Sequence, residues 1–253
     1  WNASRFVLMN FDEELDFSKV DFDKLTFADR WILSRVNSIT AEITSNLEKF
    51  ELGIALQKIY EFIWEEFCDW YIELTKPRLF DRESQSRLEA QYVLNYVLGT
   101  SMKLLHPFMP FISEEIYRHL INDDASIMIS EWPVYSEKFN FPEDESKTML
   151  IMDAIRSIRN VRAEMNVPPT RKTKIFIVVA NPETGNIFKE GKIFFERLAG
   201  ASSMLVQRDK SGIASNAASC VVEGAEIFIP LEELIDIDKE IEDIKSMLDN
   251  SDL

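Results

Sequence analysis

The spacing of the apolar residues over the first half of this chain constrains its fold more than any other feature. In three long stretches apolar side chains recur every three or four residues, which is the spacing of one face of a helix. The members are Ile32, Val36, Ile39, Ile43, Leu47 and Phe50; Leu52, Leu56, Ile59, Ile63, Phe67, Trp70 and Leu74; and Leu88, Tyr92, Leu98, Met102 and Leu105. Long amphipathic helices with short connections favour antiparallel neighbours. We therefore predict a mainly α fold with an antiparallel helical bundle over residues 1–145.

Local signals set the ends of these helices. Thr26 is a candidate N-cap, and Asp29 stands where a capping-box acid belongs. We expect Pro77 to end the second helix and Pro110 to open a fourth one through Leu120, because proline is tolerated only near a helix start. Residues 126–132 are predicted to form a short extended segment.

The pattern changes after residue 145, where we predict a small α/β domain over residues 146–230. A helix is expected near residues 144–165 and another over 187–198, with strands at 174–180, 203–207, 219–223 and 226–230. The last two strands are expected to form a hairpin through Gly224 and Ala225. Heptad spacing then follows, at Leu234, Ile237, Ile241, Ile244 and Leu248. Residues 231–253 are therefore predicted to begin a coiled-coil helix.

Both ends of the chain look like cut edges of a longer protein. The sequence opens inside an apolar helical stretch, Trp1–Asn10, and stops while the heptad pattern is still running. Two cysteines far apart fit a reduced compartment and exclude a disulfide framework or a cysteine-rich zinc module. Without an apolar run of about 18 residues or a signal segment, we expect a soluble cytoplasmic protein with no membrane partner.

The net charge of −16 argues against nonspecific nucleic-acid binding, because phosphate attraction supplies most of that affinity. The charge is uneven, however, since residues 147–174 hold seven basic and two acidic side chains. Arg156, Arg159 and Arg162 recur there at every third position. They form either a stripe that follows a phosphate backbone or an ordinary solvated helix face, and the spacing alone leaves both open.

We find no catalytic or metal-ligating constellation in the sequence. Phosphate-binding glycine loops and nucleophile elbows are absent. His106 lies in an apolar context typical of a structural histidine, and Glu115 with His119 lacks the paired Glu-x-x-His motifs of a di-metal bundle. Cys68 lies between large apolar residues, where packing is favoured over reactivity. Five carboxylates on the second helix are best interpreted as a solvated acidic face: Glu61, Glu65, Glu66, Asp69 and Glu73.

Arg5 and Phe6 place a cation beside an aromatic ring, a pairing that RNA-binding proteins use to stack an unpaired base. By spacing alone, Phe6 fits a helix core better. Several longer motifs resemble the post-catalytic region of class I aminoacyl-tRNA synthetases, most closely the valyl enzymes. These are WNASRFVLMN (1–10), ADRWILSR (28–35), EEFCDWYIELTKPRLF (65–80), LLHPFMPFISEEIYRHL (104–120), SIMISEWP (126–133), IRSIRNVRAEMNVPP (155–169) and VVEGAEIFIPL (221–231).

The resemblance implies that the bundle reads the anticodon of the tRNA for valine. It makes Phe6 the stacking platform with Arg5 as its charged neighbour, and Ile72 and Glu73 the opposite wall. Lys76 and Arg78 would contact phosphates. It implies that the α/β domain is a spacer and that the coiled coil reaches the outer corner of the tRNA, with Arg156, Arg159 and Arg162 on the RNA backbone.

The HIGH and KMSKS signatures and the editing insertion of that family are missing from this chain. The resemblance therefore implies that catalysis, ATP and magnesium belong to a catalytic domain outside these residues, which this chain would contact, and that the chain itself holds no cofactor. Two other hypotheses compete with it. One is an acidic helical module for protein–protein interaction, and the other is a metal-dependent bundle enzyme.

Overall fold

A computed structural model describes residues 1–12, 15–121 and 125–234 of the chain. The chain divides into two compact units, Trp1–Thr148 and Met149–Leu253. Helices dominate, with one four-stranded sheet, so the predicted mainly α class is confirmed. The predicted domain limits at residues 145 and 230 remain predictions. Helix Pro142–Glu164 runs across the division between the two units, so no loop marks the first of these limits. None of the described helices is both long and apolar enough to cross a membrane.

The first unit is built from helices joined by loops and short 3-10 turns. The helices are α1 Asn2–Met9, α2 Phe27–Glu48, α3 Leu52–Glu61, a π-helix Phe62–Ile72, α4 Glu73–Phe80, α5 Arg87–Leu105 and α6 Pro110–Ile121. Helix α7, Pro142–Glu164, begins in this unit and continues into the second. Thr26 and Asp29 form the predicted capping box at the start of α2. Pro110 opens α6 as expected.

Helix α5 is the central element of this unit and packs against α1, α2, α3, α4 and α6. Its buried apolar residues lie on more than one face: Ala90, Val93, Leu94, Val97, Leu98, Met102 and Leu104. Leu88 and Tyr92, which the simple stripe placed inward, are only half-buried. A helix surrounded by neighbours buries more than one stripe, so a single-stripe pattern misplaces some of its members.

Three local predictions in this unit are wrong. Leu52 and Leu56 are 53% and 40% exposed, because the π-helical turns that follow change which residues face the core. The helix does not end at Pro77 but continues through it to Phe80. Residues 126–132 contain a 3-10 turn, Ile127–Ile129, in place of an extended segment.

The second unit contains a four-stranded mixed sheet. Its elements are β1 Thr173–Val179, α8 Pro182–Glu190, α9 Lys192–Leu198, β2 Ala201–Gln207, β3 Ala218–Val222, β4 Ala225–Ile229 and α10 Leu231–Leu234. The strand order is β2-β1-β4-β3, with β2 parallel to β1 and the other pairs antiparallel. The predicted hairpin is present, and Gly224 adopts the positive φ of 70° that its tight turn requires.

Helices cover one face of this sheet. A Cβ on Gly185 of α8 would lie 3.1 Å from Val179 and 3.5 Å from Val206, so α8 packs closely on the face that carries these two valines. Phe188 and Phe195 fill the space between helices and sheet and are fully buried. The single helix predicted over residues 187–198 is two helices, separated at Gly191. The predicted coiled coil, from residue 235 onward, lies outside the described residues.

Candidate nucleic-acid interface

The candidate interface lies at the end of the helical run Leu52–Phe80. This run is π-helical over Phe62–Ile72 and returns to α-helix at Glu73. π-Helical turns are rare and are found often at functional sites. In the α-helix that follows, Glu73, Lys76 and Phe80 are spaced by three and four residues, so they lie along one face of α4.

Phe6 and Phe80 form an aromatic corner between α1 and α4. Their ring centroids lie 6.4 Å apart and their planes meet at 79°, the edge-to-face arrangement that aromatic quadrupoles favour. Phe6 is half-buried, whereas Phe80 is 61% exposed. One ring packs partly against the protein while the other is exposed to solvent, and an exposed aromatic ring held in this way can stack on an unpaired base.

Lys76 lies over the ring of Phe6, with its Nζ 5.5 Å from the ring centroid, and forms an ion pair with Glu73. We call Phe6, Lys76 and Glu73 the first trio. The Lys76 and Glu73 side chains keep 28% and 39% of their surface exposed, and a pair in such a setting contributes at most about 1 kcal/mol. Both charges can therefore be redirected to a ligand at little cost to the fold.

Three predicted site residues, Phe6, Glu73 and Lys76, are thus brought together, although Phe6 is 67 or more positions away in the sequence. Arg5 is exposed on α1 next to Phe6. Phe80 was missed. Its position seven residues after Glu73, on the same helix face, was the signal that could have identified it.

Hydrogen bonds from α5 hold α1 in place behind the first trio. Asn10 Nδ2 donates to the Phe6 carbonyl at 2.8 Å, and Gln91 Nε2 donates to the Asn10 carbonyl at 2.8 Å. Arg87 pairs with Asp12 at 2.9 Å. The hydrogen bond from Arg87 is the largest influence on the pKa of Asp12 and lowers it. The backbone under Phe6 is therefore fixed to the central helix.

Ile72 does not line the site. It is only 6% exposed and packs in the core, so the prediction that it forms a wall with Glu73 is wrong. The two residues are consecutive, and neighbours on a helix point about 100° apart. When Glu73 faces solvent, Ile72 therefore turns inward.

Arg78 is also withdrawn from solvent. Its Nη1 and Nη2 donate to the two carboxylate oxygens of Asp29 at 2.7 and 2.5 Å, and the Tyr71 hydroxyl donates to the same carboxylate at 2.6 Å. Asp29 is fully buried and the Arg78 side chain is 14% exposed. A guanidinium held in this two-pronged pair is a structural group. The predicted phosphate contact by Arg78 is therefore replaced by an internal ion pair.

This pair changes the acid–base properties of all three groups. Burial raises the pKa of Asp29, but the charge and hydrogen bonds of Arg78 outweigh it, so the pKa lies below its ordinary value. Burial lowers the pKa of Arg78, but the charge and hydrogen bond of Asp29, with smaller contributions from Tyr71, together outweigh it, so this pKa is raised. Burial raises the pKa of Tyr71 well above its usual range. At neutral pH Asp29 and Arg78 are therefore both charged, and the Tyr71 hydroxyl is protonated.

The arginine stripe of α7 does not form one solvated face. Arg162 is only 7% exposed, and its guanidinium donates to the Arg171 carbonyl at 2.6 Å and to Thr173 Oγ1 at 3.2 Å. Arg156 and Arg159 are exposed; Arg156 pairs with Asp153 at 3.0 Å, and Arg159 donates to the Leu198 carbonyl at 2.7 Å. Three-residue steps drift about 60° each on an α-helix. The prediction that Arg162 contacts RNA is therefore wrong.

The other polar groups singled out in the sequence have structural partners. His106 contacts Ser113 Oγ at 2.7 Å and Met128 Sδ at 2.9 Å. His119 Nδ1 lies 2.8 Å from the Glu115 carbonyl oxygen. Burial raises the pKa of Cys68 to about 11, so its thiol is protonated at neutral pH.

The carboxylates of the second helix are divided between solvent and salt bridges. Glu61, Glu65 and Asp69 are exposed, while Glu66 accepts two hydrogen bonds from Arg35 at 2.7 and 2.9 Å. Within the described part of the chain, no three or more His, Cys, Asp or Glu side chains are grouped so as to hold a metal ion.

A comparison against known families identifies the family of this chain. Residues 29–177, more than half of the chain, match the model of the anticodon-binding domain of tRNA ligases. The chain belongs to this family. The matched region includes Glu73, Lys76 and Phe80, whereas Phe6 lies before it.

Comparison with individual proteins gives a narrower result than the family match. The chain is 51% identical over 242 residues to the valine–tRNA ligase of Clostridium acetobutylicum, and 50% identical over 242 residues to that of Clostridium perfringens. It is 38% identical over 241 residues to the valine–tRNA ligase of Bacillus anthracis. These matches cover 95–96% of the chain but only 27% of each relative. The chain thus spans about a quarter of the length of the relatives that it matches.

Proposed function

We propose that this chain is the tRNA-recognition region of a valine–tRNA ligase and that it binds the anticodon arm of the tRNA for valine. The observation that carries the proposal is the first trio beside Phe80, which combines an aromatic corner, a cation and a carboxylate on one exposed surface. Membership of the anticodon-binding family and the similarity to valine–tRNA ligases support it.

In the proposed complex an unpaired anticodon base stacks on the aromatic corner. Stacking on an aromatic side chain contributes about 1–3 kcal/mol per base and accepts any base, because every base has a flat π face. Phe6 and Phe80 therefore supply affinity, and Arg5 adds a positive charge beside Phe6. Base identity has to come from the polar members of the site.

Glu73 and Lys76 exchange partners in this proposal. An approaching phosphate attracts Lys76 and draws it away from Glu73 and from the ring of Phe6. The carboxylate of Glu73 is then available to accept a hydrogen bond from a base amino group. It also rejects a base that presents an acceptor at the same place, so the carboxylate selects by repulsion as well as by attraction.

The remaining parts of the proposal concern the whole ligase. Valine activation with ATP and magnesium is assigned to a catalytic domain in the part of the relatives that this chain does not cover, and this chain contacts that domain. The helices of the first unit form an up-and-down bundle, the sheet unit links it to a coiled coil, and Arg156 and Arg159 contact RNA backbone. A cytoplasmic location follows from this function.

An acidic protein-interaction module was the competing hypothesis. Its basis was the net charge of −16, which opposes RNA binding only where no local surface carries the opposite sign. Lys76 and Arg5 provide such a surface beside exposed aromatic rings. The family match favours the tRNA function over this alternative.

The test is the binding of fluorescent anticodon hairpins measured by anisotropy. Phe6→Ala is expected to weaken the valine hairpin by about 1–3 kcal/mol, because it removes the stacking surface. Phe111→Ala is the matched control, since Phe111 is 91% exposed on α6 and lies outside the site. The unsubstituted chain should also prefer the valine hairpin to one with another anticodon. Equal binding of both hairpins, or no effect of Phe6→Ala with an unchanged circular dichroism spectrum, would refute the proposal.

A further inference from the structure

Among the described residues of the second unit, one face of the sheet is left partly exposed, and we call it the open face. It carries two aromatic side chains side by side. Phe176 on β1 and Phe228 on β4 are direct partners across the two central strands. Side chains alternate between the faces of a strand, and both rings lie opposite the helix-covered face that carries Val179. Both are half-buried. They are held by the sheet yet accessible from one side.

Apolar groups extend this open face to the edges of the sheet. Leu205 on β2 is the partner of Phe176 and is 49% exposed. Val221 on β3 is the partner of Glu226 on β4 and is 75% exposed. Exposed apolar area grouped in one place is typical of a binding surface, so this face is a candidate for one.

Lysine and arginine side chains lie along the same face as the aromatic pair. Lys210 lies over the ring of Phe228, with its Nζ 5.0 Å from the centroid, and pairs with Glu226 at 2.7 Å. We call Phe228, Lys210 and Glu226 the second trio. Arg208 and Lys210, together with the acidic Asp209 and Glu226, also line an open groove of about 650 Å³ that continues along this face past Val178 and Val221. Lys174, two residues before Phe176, is exposed at the other end of the face.

We infer that this open face is a second RNA-binding surface, which stacks unpaired bases on Phe176 and Phe228 and holds the phosphates of the same strand with Arg208, Lys210 and Lys174. The inference rests on the proposed function, since it takes the ligand to be RNA. Charge selects this occupant: an apolar protein segment has no need of cations beside the rings, whereas a nucleotide strand needs both flat surfaces and positive charge. The second trio also repeats the composition of the first.

The experiment uses the full chain with Phe6→Ala in place, so that the first trio has lost its aromatic ring. The probe is an unpaired uridine strand of about eight nucleotides, within the site sizes of single-strand binders, that carries one fluorescent 2-aminopurine. Stacking on an aromatic ring is expected to quench the probe as protein is added. Adding Phe228→Leu, which keeps apolar volume but removes the flat ring, is expected to weaken binding about fivefold or more. Phe50→Leu, at a position 87% exposed in the first unit, is the control.

The outcomes separate this inference from the proposed function. If the Phe6→Ala chain does not quench the probe, or if Phe228→Leu leaves its affinity unchanged, the second surface is refuted, whatever the anticodon hairpin shows. If the hairpin does not bind but the uridine strand still responds to Phe228→Leu, the second surface stands and the proposed function fails. Lys210→Gln guards against a folding artefact, since it leaves the sheet intact; it is expected to lower affinity for the probe and the dependence of affinity on salt.

Discussion

The two units of this chain carry the same three-part arrangement on different secondary structures. In the first unit, Lys76 lies over Phe6 and pairs with Glu73; in the second, Lys210 lies over Phe228 and pairs with Glu226. The lysine and glutamate of the first trio lie three residues apart on one helix. The glutamate and the ring of the second trio lie two residues apart on the same face of one strand. A ring, a cation and a carboxylate can thus be brought together by helix spacing or by strand spacing.

The support behind the two trios differs. Glu73 and Lys76 of the first trio lie on α4, which is tied to α2 by the buried pair of Arg78 with Asp29. Glu226 and Phe228 of the second trio lie on a sheet whose other face is covered by helices. The stability of this sheet comes from apolar packing around residues such as Ile227, which is fully buried. The comparison therefore predicts that the first unit is sensitive to the loss of one internal charge.

The largest expected effect is that of Arg78→Met on the stability of the first unit. Removing one partner of a buried ion pair leaves an uncompensated charge, which lowers the free energy of unfolding by about 3–5 kcal/mol. All five tryptophans and all six tyrosines lie within Trp1–Thr148. Tryptophan emission during urea unfolding therefore reports on this unit alone.

The control for this measurement is Lys76→Gln, on the same helix but in the exposed pair with Glu73. It is expected to lower the free energy of unfolding by less than about 1 kcal/mol. Similar losses in the two variants would contradict the assignment of Arg78 to the scaffold and of Lys76 to the ligand surface.

A second prediction uses pH to sharpen the same contrast. The pKa of Asp29 in the folded chain lies below its ordinary value of 3.8, so its ion pair contributes stability above pH 3.8 that is lost as pH falls through the lower folded value. In Arg78→Met, Asp29 stays buried but the cation is gone, so the pKa of Asp29 in the folded variant is expected to rise above 3.8. The ionised carboxylate then destabilises the folded variant instead of stabilising it.

The difference in unfolding free energy between the parent chain and Arg78→Met should therefore be largest above the raised pKa of Asp29 in the variant. It should shrink as pH falls through that value and continue to shrink until the lowered pKa of Asp29 in the parent chain is reached. Other titrating groups cancel in this difference. Urea unfolding followed by tryptophan emission over a series of acidic buffers measures it. A difference that stays constant with pH would show that Arg78 acts through packing and not through the charge of Asp29.

The sequence predicted the parts of this molecule that depend on near neighbours. Thr26 and Asp29 signalled the capping box because both partners lie within one turn. The four strands were predicted close to their observed positions, because β-branched runs between turn residues are local signals. The placement of Phe6 beside Glu73 came from the resemblance to a family, since no local pattern joins residues so far apart.

The predictions that failed were those that depended on a distant partner. Arg78 looked like a phosphate contact because its partner, Asp29, lies 49 positions earlier. Arg162 looked solvated because the carbonyl groups that it binds belong to a later loop. The open sheet face was not anticipated either, because the alignment of Phe176 with Phe228 is set by the register of strands distant in sequence.

A third prediction concerns Phe80, the member of the aromatic corner that the sequence did not reveal. Phe80→Ala is expected to weaken the valine anticodon hairpin by about 1–2 kcal/mol, since it removes the more exposed ring of the corner. Phe80 is 61% exposed, so stability should change little. Binding of the uridine strand to the Phe6→Ala chain, which depends on Phe228, is expected to be unaffected, and a parallel loss of both activities would end the distinction between the two surfaces.

The smallest expected effects come from the two lysines and bear directly on the comparison. Each phosphate contact adds close to one unit to the slope of log affinity against log salt, about 0.7 for a single strand. Lys76→Gln is expected to reduce this slope by about that amount for the anticodon hairpin, and Lys210→Gln to do the same for the uridine strand. Titrations at several salt concentrations measure both slopes. Because each lysine leaves a carboxylate when it binds phosphate, the affinity changes should stay within a few-fold while the slopes change clearly. If either substitution leaves its slope unaltered, that lysine remains with its glutamate in the complex, and the two trios no longer work in the same way.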